Sequence, residues 1–135
     1  MDREGAQAWL DRYVAAWRSY ERDEVADLFS ADVAYRYHPY DDPIIGRDAV
    51  AASWLGEETG AGGASTRDAP GTYDAHYEPV AVDGDTVVAT GRSTYRDSPH
   101  GPVVQVYENC FVIRFDPDGR CREFTEYFIE RPAGR

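Results

Sequence analysis

Little in this chain points toward nucleic acid, a membrane, a metal or a disulfide framework. Basic residues are scarce: 14 Lys and Arg stand against 25 Asp and Glu, a formal net charge of -11. Phosphate backbones need a basic footprint and anionic bilayer surfaces attract one, so neither nucleic acid nor a membrane surface is an expected partner. No stretch approaches the ~20 apolar residues that cross a bilayer. Met1-Asp2-Arg3-Glu4 also lacks the basic-then-apolar order of a signal peptide. The only cysteines, Cys110 and Cys121, flank an expected hairpin turn and fall out of cross-strand opposition, so no disulfide is expected and a reduced, cytoplasmic protein is. Three scattered histidines and no paired cysteines give no metal-ligand spacing, so no metal is expected. There is no Gly-rich phosphate loop between a strand and a helix, and no Ser-His-Asp set, so no cofactor is expected either.

What is present is a globular composition. The 135 residues are 42% hydrophobic and 13% aromatic, with ten Tyr and three Trp. That length suits one domain over residues 1–135. Ala6, Trp9, Leu10, Tyr13, Val14 and Trp17 recur at three- and four-residue steps and predict an amphipathic helix. A second, shorter helix is expected over Asp23 to Phe29, and a strand over Val33 to His38. Pro39, Asp41, Asp42 and Pro43 form a loop, then Gly46-Arg47-Asp48 opens a third helix reaching about Leu55. Gly60 to Gly71 reads as a surface loop.

The second half reads as strand throughout. Tyr73 to Val82, Asp85 to Arg96, Pro102 to Phe115 and Arg120 to Glu130 are separated by short Asp-, Pro- and Gly-rich turns that force antiparallel neighbours. Helices followed by a meander predict an α+β domain. Alternation places Val103, Gln105, Tyr107, Asn109, Phe111, Ile113 and Phe115 on one face of the third of these strands, and Phe124, Glu126 and Phe128 on one face of the last. Neither strand has a fully polar face, so both sides of the sheet meet something. Helices cover one; a second copy of the chain is the expected cover for the outer one, giving a homodimer.

The motifs Arg12-Tyr13-Val14-Ala15-Ala16-Trp17, Asp27-Leu28-Phe29-Ser30-Ala31-Asp32-Val33 and Gly46-Arg47-Asp48-Ala49-Val50 follow one another in a telling order. With Arg114-Phe115-Asp116-Pro117-Asp118-Gly119-Arg120 and Glu126-Tyr127-Phe128-Ile129-Glu130, the chain resembles the nuclear transport factor 2-like superfamily, in its SnoaL-like and ketosteroid-isomerase-like branches. The resemblance implies a cone-shaped, curved antiparallel sheet packed on three N-terminal helices, a cystatin-like α+β roll with a pocket inside. It implies a small-molecule ligand and a dimer. Relatives include isomerases, dehydratases and cyclases, and others that only bind.

By that resemblance Tyr13 matches the first-helix Tyr that donates a hydrogen bond to a substrate oxygen as it becomes an enolate. The general-base position at the end of the first strand falls on His38 or Tyr37, and a His can serve there. On the late strand, Asn109 and Phe111 stand where the family's second acid would be, with Asn109 a candidate oxyanion donor. Glu126, between Phe124 and Phe128, is a carboxylate on an aromatic face. Either its pKa is raised, making it an acid-base candidate, or a cation pairs with it. Arg92, alternating with Val88, Thr90 and Thr94, is the expected partner. Trp17, Tyr35, Trp54, Tyr107 and Phe111 are expected to line the same cavity.

Overall fold

The computed structural model describes residues 1–57 and 67–134; residues 60–66 of the expected surface loop lie outside them. Among the described residues, three helices, α1 (Arg3–Ser19), α2 (Arg22–Ala26) and α3 (Arg47–Trp54), accompany six strands. The strands are β1 (Phe29–Arg36), β2 (Ile44–Ile45), β3 (Tyr73–Asp83), β4 (Thr86–Arg96), β5 (Val103–Phe115) and β6 (Cys121–Glu130). They form one sheet in the order β2-β1-β6-β5-β4-β3. The β3 to β6 meander is antiparallel throughout, while β1 joins β6 in parallel. The result is a curved, open α+β sheet with its helices against the inner face.

α1 starts where Asp2 accepts a hydrogen bond from the Gly5 amide at 2.7 Å, a cap worth about 1 kcal/mol. Its apolar stripe then buries Ala6, Trp9, Leu10, Tyr13 and Val14. Trp17, one turn on, stays half-buried at the helix end. Tyr20 closes the helix in the left-handed region, at φ 51. A side chain there costs about 1 kcal/mol or more.

The second helix is shorter than its sequence pattern suggested, ending at Ala26 rather than Phe29. Phe29 instead opens β1, opposite Cys121 of β6, and is fully buried. Arg47 fixes that corner by donating from Nε to the Phe29 carbonyl at 3.0 Å. Burial in the parallel pairing outweighs one more helical turn at this point. β1 therefore begins four residues earlier than expected and ends at Arg36, leaving Tyr37 and His38 beyond it.

The meander strands match their expected ranges to within a residue or so. The inner face of β5 carries Asn109, Phe111, Ile113 and Phe115, all buried. On β6, Phe124 is fully buried and lies opposite Ile113, and Glu126 lies opposite Phe111. β4 turns Val87, Ala89 and Ser93 inward. Gly91 continues that row because Tyr77 of β3 crosses it: a Cβ there would sit 2.4 Å from the Tyr77 ring and 2.1 Å from the His76 carbonyl oxygen. Cys110 faces Tyr127 and Cys121 faces Phe115, and both thiols are free.

Candidate functional site

The inner face and the helices enclose a cavity of about 420 Å³ that opens to solvent. Its floor is aromatic. Tyr13 and Tyr35 both stack on Phe124, with ring centroids 5.6 Å and 4.7 Å away. Phe111 packs against Phe124 at 4.9 Å and against Tyr77 at 4.5 Å. Phe111 and Phe124 thus form the layer beneath the cavity, while Tyr13, Tyr35 and Tyr77 reach into it. Trp17, Tyr37, Trp54, Tyr107 and Phe128 line it too, whereas Phe111, expected in the lining, lies beneath it because it packs on Phe124 and Tyr77.

Glu126 stands on this floor. Asn109 donates from Nδ2 to its carboxylate at 2.9 Å. The Asn109 Oδ1 accepts in turn from the Ser93 hydroxyl at 3.0 Å. Ser93, Asn109 and Glu126 lie on three successive strands, and alternation aims all three inward. Burial pushes the Glu126 carboxyl up to about 7, against the smaller opposing effects of the Asn109 hydrogen bond and the nearby His38. A carboxyl poised there exchanges a proton near neutrality. One Asn109 N–H is spent on holding it.

The phenols answer the same environment. Burial raises the Tyr13 pKa well above its ordinary value, reinforced by Tyr35, Glu126 and Tyr77. Tyr35 is raised likewise, by burial first. Both therefore remain protonated donors. Tyr37 is tied to α3 through a 2.9 Å contact between its hydroxyl and that of Ser53. The buried Trp54 indole is turned to the Tyr35 hydroxyl, where it opposes the rise in that phenol's pKa.

Two further expectations change. The Glu126–Arg92 pair does not form. Arg92 is on the outer face, where its Nε donates to Glu108 at 3.0 Å. Alternation on β4 separates two rows of small residues, Val87-Ala89-Gly91 and Val88-Thr90, whose polarity hardly differs, and the crossing of Tyr77 over Gly91 decides which faces inward. His38 does not line the cavity either. Its Nδ1 lies 2.8 Å from Asp41 Oδ2, and its ring stacks on Tyr40 at 5.0 Å and approaches Phe128 at 5.3 Å. It acts on Glu126 through charge, from behind Phe128. His76, beside Glu78, and His100, in a turn, stay at the surface.

Sequence reasoning missed a second carboxylate at the cavity, Asp68. Its Oδ2 accepts from Trp17 Nε1 at 3.0 Å and from the Tyr20 hydroxyl at 3.4 Å. The Tyr20 oxygen also accepts from the Asp68 amide at 2.9 Å. Burial raises the Asp68 pKa, with Trp17 and Tyr20 opposing it. The available signal was the i, i+3 spacing of Trp17 and Tyr20, two polar-tipped aromatics at one helix end. Nothing in a Gly-rich stretch named Asp68 as their partner.

Fold and site together define a small α+β domain with an aromatic cavity in which burial raises the pKa of two carboxyls, Glu126 and Asp68. The chain belongs to the SnoaL-like domain family, whose model matches residues 10–124. Glu126 lies just past that match. Among solved structures it is similar to a crystal structure described as a "putative ketosteroid isomerase" from Kribbella flavida DSM 17836. The TM-score is 0.66 at 17% identity, covering 99% of this chain and 84% of that one. At that identity the likeness concerns the fold. No curated protein matches the chain.

Proposed function

We propose that this domain binds a small, largely apolar ring-containing molecule in its cavity and moves a proton on it without a cofactor, as an isomerase, dehydratase or cyclase does. The observation that carries this reading is Glu126, a half-buried carboxyl with a pKa raised to about 7, facing the Tyr13 and Tyr35 phenols. In its ionised form Glu126 removes a proton from a carbon beside a substrate carbonyl. Tyr13 donates a hydrogen bond to the oxygen as it gains charge. Protonated Glu126 then returns the proton, at the same or a conjugated carbon, so charge and atoms balance over the cycle. Asn109 positions the carboxyl, and Ser93 orients Asn109.

The test is proton exchange. Incubated in heavy water with a β,γ-unsaturated cyclic ketone, the protein should accelerate exchange at the carbon between carbonyl and alkene, followed by NMR. Glu126→Gln should lower that rate by about a hundredfold or more. An unchanged rate in the variant contradicts the reading.

A second reading, a non-catalytic binding or accessory domain, is favoured by the position of His38, held at Asp41 instead of in the cavity. Binding of the ketone without exchange would support it. In both readings the outer face, with Val104, Tyr127 and Ile129 exposed, is the surface for a homodimer. The two free thiols fit a reducing, cytoplasmic setting.

A further inference from the structure

The cavity has carboxylates and aromatic faces but, among the described residues, no positive side chain of its own. The chain contains no lysine; its 14 basic residues are all arginine. The described arginines are engaged elsewhere. Arg92 and Arg131 hold Glu108, Arg12 and Arg120 hold Asp27, and Arg3 and Arg47 hold backbone carbonyls. Arg67, next to Asp68 in sequence, donates to the Leu55 carbonyl and lies over the Tyr20 ring, and is not among the groups acting on Asp68. Glu126 and Asp68 are thus two half-buried carboxylates that no described arginine visits.

Rings surround Asp68. Trp17 lies 4.5 Å from Tyr73 and 6.1 Å from Tyr95, centroid to centroid, and Tyr20 joins them through its hydroxyl. Tyr95 feels both carboxylates, which places it between their fields. The hydrogen bonds reaching Asp68 come from neutral donors, which leaves its charge uncompensated. A carboxylate with no cation beside it, in a cavity lined by aromatic rings, is the chemistry that holds a cationic nitrogen.

We propose that the cavity takes a small ring-containing molecule bearing a cationic nitrogen, an amine or a quaternary ammonium, drawn by the Asp68 and Glu126 carboxylates and held among the aromatic rings that line the same space. This rests on the reading of the cavity as a ligand pocket and names the class of ligand. It also gives the raised carboxyls a counter-charge when the site is filled. Glu126 is faced by Tyr13 from α1, Tyr35 from β1, His38 from the following loop, Tyr77 from β3, Tyr95 from β4 and Asn109 from β5. Asp68 is faced by Trp17, Tyr20, Tyr73 and Tyr95. Only His38 in that set can be cationic. A permanently charged ligand therefore binds better as Glu126 loses its proton.

The experiment is calorimetric titration of the whole chain with benzyltrimethylammonium, benzyl alcohol and benzoate. The cation should bind about tenfold tighter than the alcohol, with benzoate weakest. Its affinity should rise several-fold between about pH 6 and about pH 8, releasing protons. Asp68→Asn, which keeps an acceptor for Trp17 and Tyr20, should reduce the preference for the cation about fivefold. Equal or tighter binding of benzyl alcohol or benzoate overturns the cationic ligand and leaves the pocket standing. Failure of all three probes to bind overturns the pocket reading itself.

Discussion

Two glutamates on adjacent strands of the same sheet have opposite fates. Glu108 on β5 faces outward, where burial pushes its pKa up but Arg92 and Arg131 outweigh it and hold it below the ordinary value. Glu126 on β6 faces inward, where burial dominates and raises it to about 7. Neither residue type nor strand explains the difference; the face does. Outside, Glu108 finds two arginines and water, and an ion pair there contributes little. Inside, the acid meets phenols, an amide and ring faces, and its charge is left for a ligand to balance.

The difference between the two faces is lost most completely if the inner face loses its support. Phe124→Ala removes the ring on which Tyr13 and Tyr35 both stack, and should destabilise the fold by about 4 kcal/mol in chemical denaturation. It should also bring the Glu126 pKa back toward the ordinary carboxylate value as water enters.

Glu126→Gln sharpens the contrast through pH. Between the ordinary carboxylate pKa and about 7 the folded protein keeps a proton on Glu126 that the unfolded chain has released. Stability therefore falls as pH rises across that window and is flat above it with respect to this group. The variant lacks this fall, and above pH 7 should be more stable than the wild type by up to about 3 kcal/mol. The smallest effect belongs to Glu108→Gln, exposed and solvated. Its unfolding midpoint and pH profile should track the wild type, and a large shift would mean that the outer ion pairs matter more than their exposure allows.

Much of this was legible from sequence, and the reasons are local. The inner row of β5 announced itself because Phe111, Ile113 and Phe115 alternate with Val112 and Arg114. Glu126 followed from its place between Phe124 and Phe128. β4 was not legible, because both of its faces carry small residues and the deciding contact, Tyr77 over Gly91, is made across strands. The end of α2 was hidden by Phe29, whose apolar side chain fits a helix stripe as well as the β1–β6 pairing that claims it. Asp68 was out of reach for the same reason: its partners, Trp17 and Tyr20, lie some fifty positions earlier.

The central claim is that Glu126 is a cavity carboxyl held near neutrality. It is tested most directly by NMR titration of the glutamate side-chain carboxyl carbons, with Glu126→Gln assigning the resonance. A midpoint near 7 is the predicted result. A midpoint at the ordinary glutamate value, with the rest of the carboxyls, would contradict it.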